Sequence, residues 1–203
     1  MSWVEYLVAG QGGQGVIELG NYIAHEAILR GLQAAAMPAY GPETRGGKVR
    51  CYVIATDQGI DYPVAENPDI LVVMNNLSMD FEVDLKPGGL LLLNSNTVQR
   101  EPTRPDITVL KIAATDLASQ VRMNASVAGL TDKRVLTNAV LFGALLGLQH
   151  LRPSAEVLET VFQRALGKSK QALATVNAKA ALQGLEFMTQ RRSESNKGSL
   201  VAE

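Results

Sequence analysis

Gly10, Gly12 and Gly15 stand in the run VAGQGGQG, Val8–Gly15, directly after the apolar stretch Trp3–Ala9. This is a G-x-G-x-x-G pattern between an expected strand and an expected helix. Glycines at such a junction let the backbone approach an anion, and the helix N-terminus turns its N–H groups towards it. The chemistry to expect is therefore phosphate recognition rather than bond-making. The same spacing also serves a plain tight turn that packs the first helix on its strand, so the motif alone does not decide. A second run, YGPETRGGKV, Tyr40–Val49, narrows the choice. Gly41-Pro42 fixes a turn, and Gly46-Gly47 permits backbone conformations closed to other residues. Between them Glu43, Thr44 and Arg45 are displayed. A guanidinium offers a fork of donors suited to phosphate, threonine adds a hydroxyl, and glycine N–H groups can form an anion nest. The competing reading is an exposed loop with a solvated arginine. Gly12, Gly13, Gln14, Gly15, Tyr40, Glu43, Thr44, Arg45, Gly46 and Gly47 are thus the candidate ligand-binding residues. The sequence offers no catalytic residue and no metal-ligand set.

Two nucleotide readings fail on further residues. A nicotinamide dinucleotide site wants an acid at the tip of the second strand to hold the ribose, yet Gly31–Gly41, GLQAAAMPAYG, contains none. Glu43 comes later, inside the proline-glycine loop, and Arg45 is badly set to meet a 2′-phosphate. A stand-alone NAD(P) dehydrogenase is kept as the alternative, with a non-catalytic docking module as a third reading. A triphosphate loop fails as well: Gly167-Lys168-Ser169 would need a glycine where Phe162 stands.

The elements that must position these loops are legible in outline. Trp3–Ala9 reads as a buried strand and Asp69–Asn75 and Leu90–Asn94 as two more. Leu32–Met37, Val49–Asp57 and Ile107–Ile112 complete the expected strands. The spacing of Val16, Leu19, Ile23 and Ala27 predicts a first helix closed by Arg30-Gly31. Pro38–Lys48 is expected as loop, Leu77–Leu85 as a short helix ended by Lys86–Gly89, and Thr115–Val121 as another. Three helices follow, near Val135–Leu148, Ser154–Leu166 and Lys168–Met188. Strands alternating with helices predict one α/β, Rossmann-like domain over residues 1–190, with a mainly parallel sheet and a helical C-terminal region. Residues 191–203 are expected as a polar, disordered tail. Ligands of such sheets bind at the carboxyl ends of the strands, so both glycine loops are expected on that edge.

Composition limits the partners. The net charge of −1 and the absence of a basic stripe argue against nucleic acid. The single cysteine, Cys51, excludes an internal disulfide and any cluster held by several thiolates of this chain. No leader is expected, and the uncharged stretch Val135–Leu151 is too short for a confident membrane span, so the expectation is a cytoplasmic, soluble protein. His25 is expected at a surface or interface, His150 at a helix C-terminus, and Cys51 as a small buried hydrophobe.

GQGGQG after the first strand, followed by YGPETRGG, resembles the gamma subunit of 2-oxoacid:ferredoxin oxidoreductases. NPDILVVMN, LKPGGLLLLNS, TNAVLFGALLG and KSKQALATVNAKAALQG extend the resemblance over nearly all the chain except its tail. It implies a subunit of an enzyme that decarboxylates pyruvate, 2-oxoglutarate or another 2-oxoacid and passes electrons to ferredoxin. It further implies that coenzyme A accepts the acyl group in a pocket these two loops help to build. Thiamine diphosphate, Mg and iron–sulfur clusters are then expected in the alpha and beta subunits, with or without a delta subunit, and not in this chain.

Overall fold

The computed structural model describes residues 3–41, 47–121 and 136–199. The chain divides into two compact units, residues 1–113 and 114–203. The first is an α/β unit around a six-stranded sheet of order β2-β3-β1-β4-β5-β6. The strands are β1 (Trp3–Gln11), β2 (Gln33–Tyr40), β3 (Lys48–Thr56), β4 (Ile70–Val73), β5 (Leu90–Asn94) and β6 (Thr108–Ile112). The pairs β1–β4, β4–β5 and β5–β6 are parallel. β3 runs antiparallel to both its neighbours, so β1 and β2 point the same way. The α/β class, the mainly parallel sheet and the helical C-terminal region are as the sequence predicts.

One local reading of this unit needs correction. Pro38–Lys48 is not all loop, because β2 continues through Pro38 and Ala39 to Tyr40. β2 lies at the edge of the sheet, which is where a strand accepts a proline. The connection to β3 is then too short for a crossover, so it closes an antiparallel hairpin instead. Tyr40 pairs with Val49, and Gly41 N donates to Lys48 O at 3.0 Å.

Helix α1 (Val16–Leu29) covers one face of this unit's sheet. It lies close on β3 at Gly20, where a Cβ would stand 2.3 Å from Cys51 Sγ. Cys51 is fully buried there, as expected of a small hydrophobe, and desolvation pushes its thiol up to about 12. α1 ends in a Schellman turn: Gly31 has φ 85°, its N–H donates to Ile28 O, and Leu32 N donates to Ala27 O. On the opposite face Leu7, Ala9, Leu71, Val73, Leu91 and Leu93 pack beneath Met79 and Leu85. Met79 belongs to a 3-10 helix, Asn76–Asp84. The turn Lys86–Gly89 returns the chain to β5, with Gly88 at φ 74° and Gly89 N donating to Lys86 O, a type II turn with proline in its usual place.

The second unit is helical: α2 (Ala114–Gln120), α3 (Thr137–Leu148), α4 (Ala155–Ala165), a 3-10 turn Lys168–Leu173, and α5 (Ala174–Ser199). α5 thus extends into the segment that the sequence suggested as a tail. α3 is buried from Thr137 to Gly147, the fully buried helix its lack of charge implied. Ser154 caps α4 through Val157 N, and Phe142 meets Phe162 edge to face at 5.8 Å. α3 ends with His150 in the left-handed conformation (φ 61°), Leu151 N donating to Leu146 O. α3 and α5 touch backbone to backbone. A Cβ at Gly143 would stand 1.7 Å from Ala181 O, and one at Gly184 would stand 1.9 Å from Val140 O. Neither carbonyl can yield without breaking its helix, so Gly143→Ala and Gly184→Ala are each expected to destabilise the chain by about 1–3 kcal/mol or more. Gly167→Ala, whose Cβ would meet nothing within 4 Å, is the control and should shift stability by less than about 0.5 kcal/mol. Urea unfolding followed by circular dichroism measures both.

Candidate functional site

β1 runs on beyond the end of β4 as Gly10-Gln11, still paired with β3, and the turn Gly12–Gly15 opens α1. The four glycines of this loop answer to different constraints. At Gly10 a Cβ would stand 2.7 Å from Val16 Cγ2 and 2.9 Å from Gln14 Oε1, so this residue serves helix-on-strand packing. Gly13 and Gly15 have φ 90° and 75°, conformations that side chains rarely adopt. Gly12 has neither restriction: a Cβ there would meet nothing within 4 Å, and the residue is exposed. Three glycines are accounted for by the chain itself, and the fourth leaves open space in front of the turn. The helix N-terminus has no side-chain cap, because its N-cap is Gly15. Glu18 sits in the first turn of α1, where its charge already complements part of the helix dipole and weakens the turn's pull on another anion.

The turn is held by one side chain. Gln14 Oε1 accepts from Gln11 N at 2.8 Å and from Asn75 Nδ2 at 3.0 Å, while Gln14 Nε2 donates to Met74 O at 3.0 Å. Met74 O takes a second hydrogen bond from Thr97 Oγ1 at 2.7 Å. Asn75 Oδ1 accepts from Ser78 N, capping the Asn76–Asp84 helix. The segments after β1, β4 and β5 are therefore joined at the carboxyl edge. Asn75, Thr97 and the Met74 carbonyl were not singled out from the sequence. The available signal was an asparagine closing each of the apolar runs DILVVMN and LLLLN.

The second glycine loop leaves the same edge. Register places Tyr40 beside Val49 and Val49 beside Gly10, and Lys48 beside Gln11. Two strand spacings separate β2 from β1, roughly 10 Å, so the flanks of the two loops stand within reach of one nucleotide-sized ligand. Tyr40 is 67% exposed at the tip of β2, and Gly47 is half-buried at the start of β3. Glu43, Thr44, Arg45 and Gly46 lie outside the described residues. His25, on α1, is half-buried.

A charged group that the sequence reading passed over lies beside Lys48. Asp80 accepts from Lys48 Nζ at 2.6 Å and from Arg100 Nη1 at 2.5 Å. The Lys48 hydrogen bond, then that of Arg100, holds the Asp80 carboxyl below its ordinary range. Among the described residues no group of three or more His, Cys, Asp and Glu side chains could hold a metal ion. No helix among them is long and apolar enough to cross a membrane.

An α/β unit with an uncapped glycine turn and the flanks of a second glycine loop at one carboxyl edge has the arrangement at which sheets of this class bind ligands. Residues 5–187 match the family described as pyruvate ferredoxin/flavodoxin oxidoreductase. The 2-oxoglutarate synthase subunit KorC of Methanothermobacter marburgensis is 34% identical over 165 residues, 76% of this chain and 84% of that one. A keto/oxoacid ferredoxin oxidoreductase gamma subunit from Geobacter sulfurreducens has a similar structure, with TM-score 0.73 at 27% identity over 94% of this chain and 98% of that one. The fold also recurs, with TM-score 0.74 at 21% identity, in a 2-oxoglutarate:ferredoxin oxidoreductase from Magnetococcus marinus solved with 2-oxoglutarate, coenzyme A and succinyl-CoA bound. There it covers 94% of this chain but 32% of the other, so the same fold forms part of a longer chain. The chain belongs to the pyruvate ferredoxin/flavodoxin oxidoreductase family, as a gamma-type subunit of a multisubunit 2-oxoacid:ferredoxin oxidoreductase.

Gln14→Ala removes three hydrogen bonds from the turn and leaves Gln11 N, Asn75 Nδ2 and one lone pair of Met74 O to water. At about 0.5–1.5 kcal/mol for each part-buried bond, the expected loss is roughly 2–4 kcal/mol. Amide exchange at Gln11 should accelerate, while that of β5 changes only through the global loss. Hydrogen–deuterium exchange of the two segments distinguishes a loosened turn from a uniformly weaker fold.

Proposed function

We propose that this chain supplies the coenzyme A-binding part of a complex that oxidatively decarboxylates a 2-oxoacid to an acyl-CoA and reduces ferredoxin. Gly12 carries the reading. Its missing side chain answers no need of the chain itself, and the space in front of it is where a diphosphate would approach the turn. Gly12, Gly13, Gln14 and Gly15 receive the diphosphate through backbone N–H groups. Tyr40, Glu43, Thr44, Arg45, Gly46 and Gly47 are assigned to the same ligand, on the strength of the donors their residue types offer. The bound coenzyme A in the Magnetococcus marinus enzyme, which shares this fold, supports the choice of ligand.

Composition fits the division of labour that the family resemblance implies. One cysteine cannot hold an iron–sulfur cluster, and Cys51 is buried in the sheet with its thiol protonated. Clusters, thiamine diphosphate and Mg then belong to alpha and beta partners and, where present, a delta partner, which also choose the 2-oxoacid. Ferredoxin meets the complex through them. This chain binds and orients the thiol carrier that takes the acyl group.

Purified alone, the chain should carry no cluster and should not oxidise 2-oxoacids. Reconstitution with its partners should restore coenzyme A-dependent ferredoxin reduction. Full activity from the isolated chain would refute the assignment. Within the assembled enzyme, Arg45→Ala removes one charge-assisted contact, worth about 1.5–3 kcal/mol, or roughly 10–100-fold in apparent coenzyme A affinity. The KM for the 2-oxoacid should stay as it was. An unchanged coenzyme A dependence in a correctly assembled Arg45→Ala enzyme would favour a docking module.

A further inference from the structure

The face of the sheet opposite α1 carries a cationic group that neither the fold nor the diphosphate site explains. Arg50 lies on β3 with its guanidinium carbon 5.0 Å from the Phe81 ring centroid and 5.7 Å from that of Tyr52. It is half-buried, and among the described residues no carboxylate pairs with it. Lys48, two residues earlier on the same strand face, has its ammonium 5.6 Å from the same Phe81 ring. The cations over this ring are Lys48 and Arg50, and Asp80 pairs with Lys48 and with Arg100. Among the described residues this group sets three cations, Lys48, Arg50 and Arg100, against the single carboxylate of Asp80.

Position ties this group to the ligand edge. Lys48 is the register partner of Gln11, the residue before Gly12, and Arg50 is the partner of Ala9. Partners across an antiparallel pair are about 5 Å apart at Cα. Cation–π contact with Phe81 and Tyr52 holds the guanidinium carbon, and a guanidinium brings five N–H donors suited to an oxyanion. A phosphomonoester carries close to two charges at neutral pH and three acceptor oxygens, which suits an arginine with a lysine beside it. Backbone N–H groups suit the more diffuse charge of a diphosphate. Coenzyme A carries both kinds of group: a diphosphate bridge and a 3′-phosphate on the ribose.

We propose that Lys48 and Arg50 form a second anion site that receives the ribose 3′-phosphate of coenzyme A, so that this chain distinguishes the carrier from its 3′-dephospho form. The proposal rests on the coenzyme A reading given above. On binding, Lys48 turns from Asp80 towards the phosphate, and Arg100 keeps the Asp80 carboxylate.

The test uses the assembled oxidoreductase, with coenzyme A and 3′-dephospho-coenzyme A varied separately as acyl acceptors. The wild-type enzyme should show a KM roughly 10–100-fold lower for coenzyme A than for the dephospho form. Arg50→Gln should narrow that ratio about tenfold by raising the coenzyme A KM alone, with kcat and the dephospho KM unchanged. Arg50→Lys should restore part of the discrimination. Lys48→Gln changes a half-buried side chain that packs no core, and it should narrow the ratio in the same direction even if Arg50→Gln assembles poorly. Equal use of both acceptors by the wild-type enzyme overturns the proposal, and so does an Arg50→Gln enzyme in which both KM values rise together. Gly12→Val separates this from the underlying reading. If Gly12→Val raises both KM values and the Lys48 and Arg50 variants do nothing, only the second site falls. If Gly12→Val also does nothing, the coenzyme A reading and this proposal fall together.

Discussion

The carboxamide of Gln14 is the constraint on which the ligand edge depends. Its oxygen takes two donors and its nitrogen gives one, so one side chain ties the turn after β1 to the end of β4. A glycine-rich turn has the conformational freedom to approach an anion and, for the same reason, loses more entropy when it is ordered. The Gln14 contacts offset that loss before any ligand arrives. They also leave the exposed side of Gly12 clear, because all three bonds lie on the protein side of the turn. Thr97, by sharing the Met74 carbonyl, extends the same order to the segment after β5.

The two compact units meet their packing demands differently. The sheet unit uses side chains on both faces: α1 on one, and the Asn76–Asp84 segment over Leu71, Val73, Leu91 and Leu93 on the other. The helical unit brings α3 and α5 so close that backbone atoms replace side chains at Gly143 and Gly184. α3 is apolar all round because every side of it is covered, so its sequence shows no amphipathic stripe to read.

What could be read from the sequence was whatever depends on neighbours along the chain. The Gly10–Gly15 turn, the Arg30-Gly31 stop, the Lys86–Gly89 turn and the helix start at Ser154 are local devices, and each stands as expected. Pairing between distant segments was not legible. The reversal of β3 depends on how little chain separates it from β2, and a proline at position 38, which reads as the end of the strand, hides how short that connection is. Lys48 and Arg50 carry no signal along the sequence; register sets Lys48 beside Gln11, and the Asn76–Asp84 helix brings Phe81 to both. The need for glycine at positions 143 and 184 shows only when α3 and α5 are laid together.

Pro38 also bears on the life of the chain before assembly. β2 is an outer strand of the sheet, and such a strand presents unpaired backbone groups to any other extended chain it meets. A proline within it cannot donate a hydrogen bond, so a ladder built along that border by a second polypeptide would be interrupted partway. A subunit that must wait for its partners at high local concentration is thereby less prone to stack with its own copies through this border.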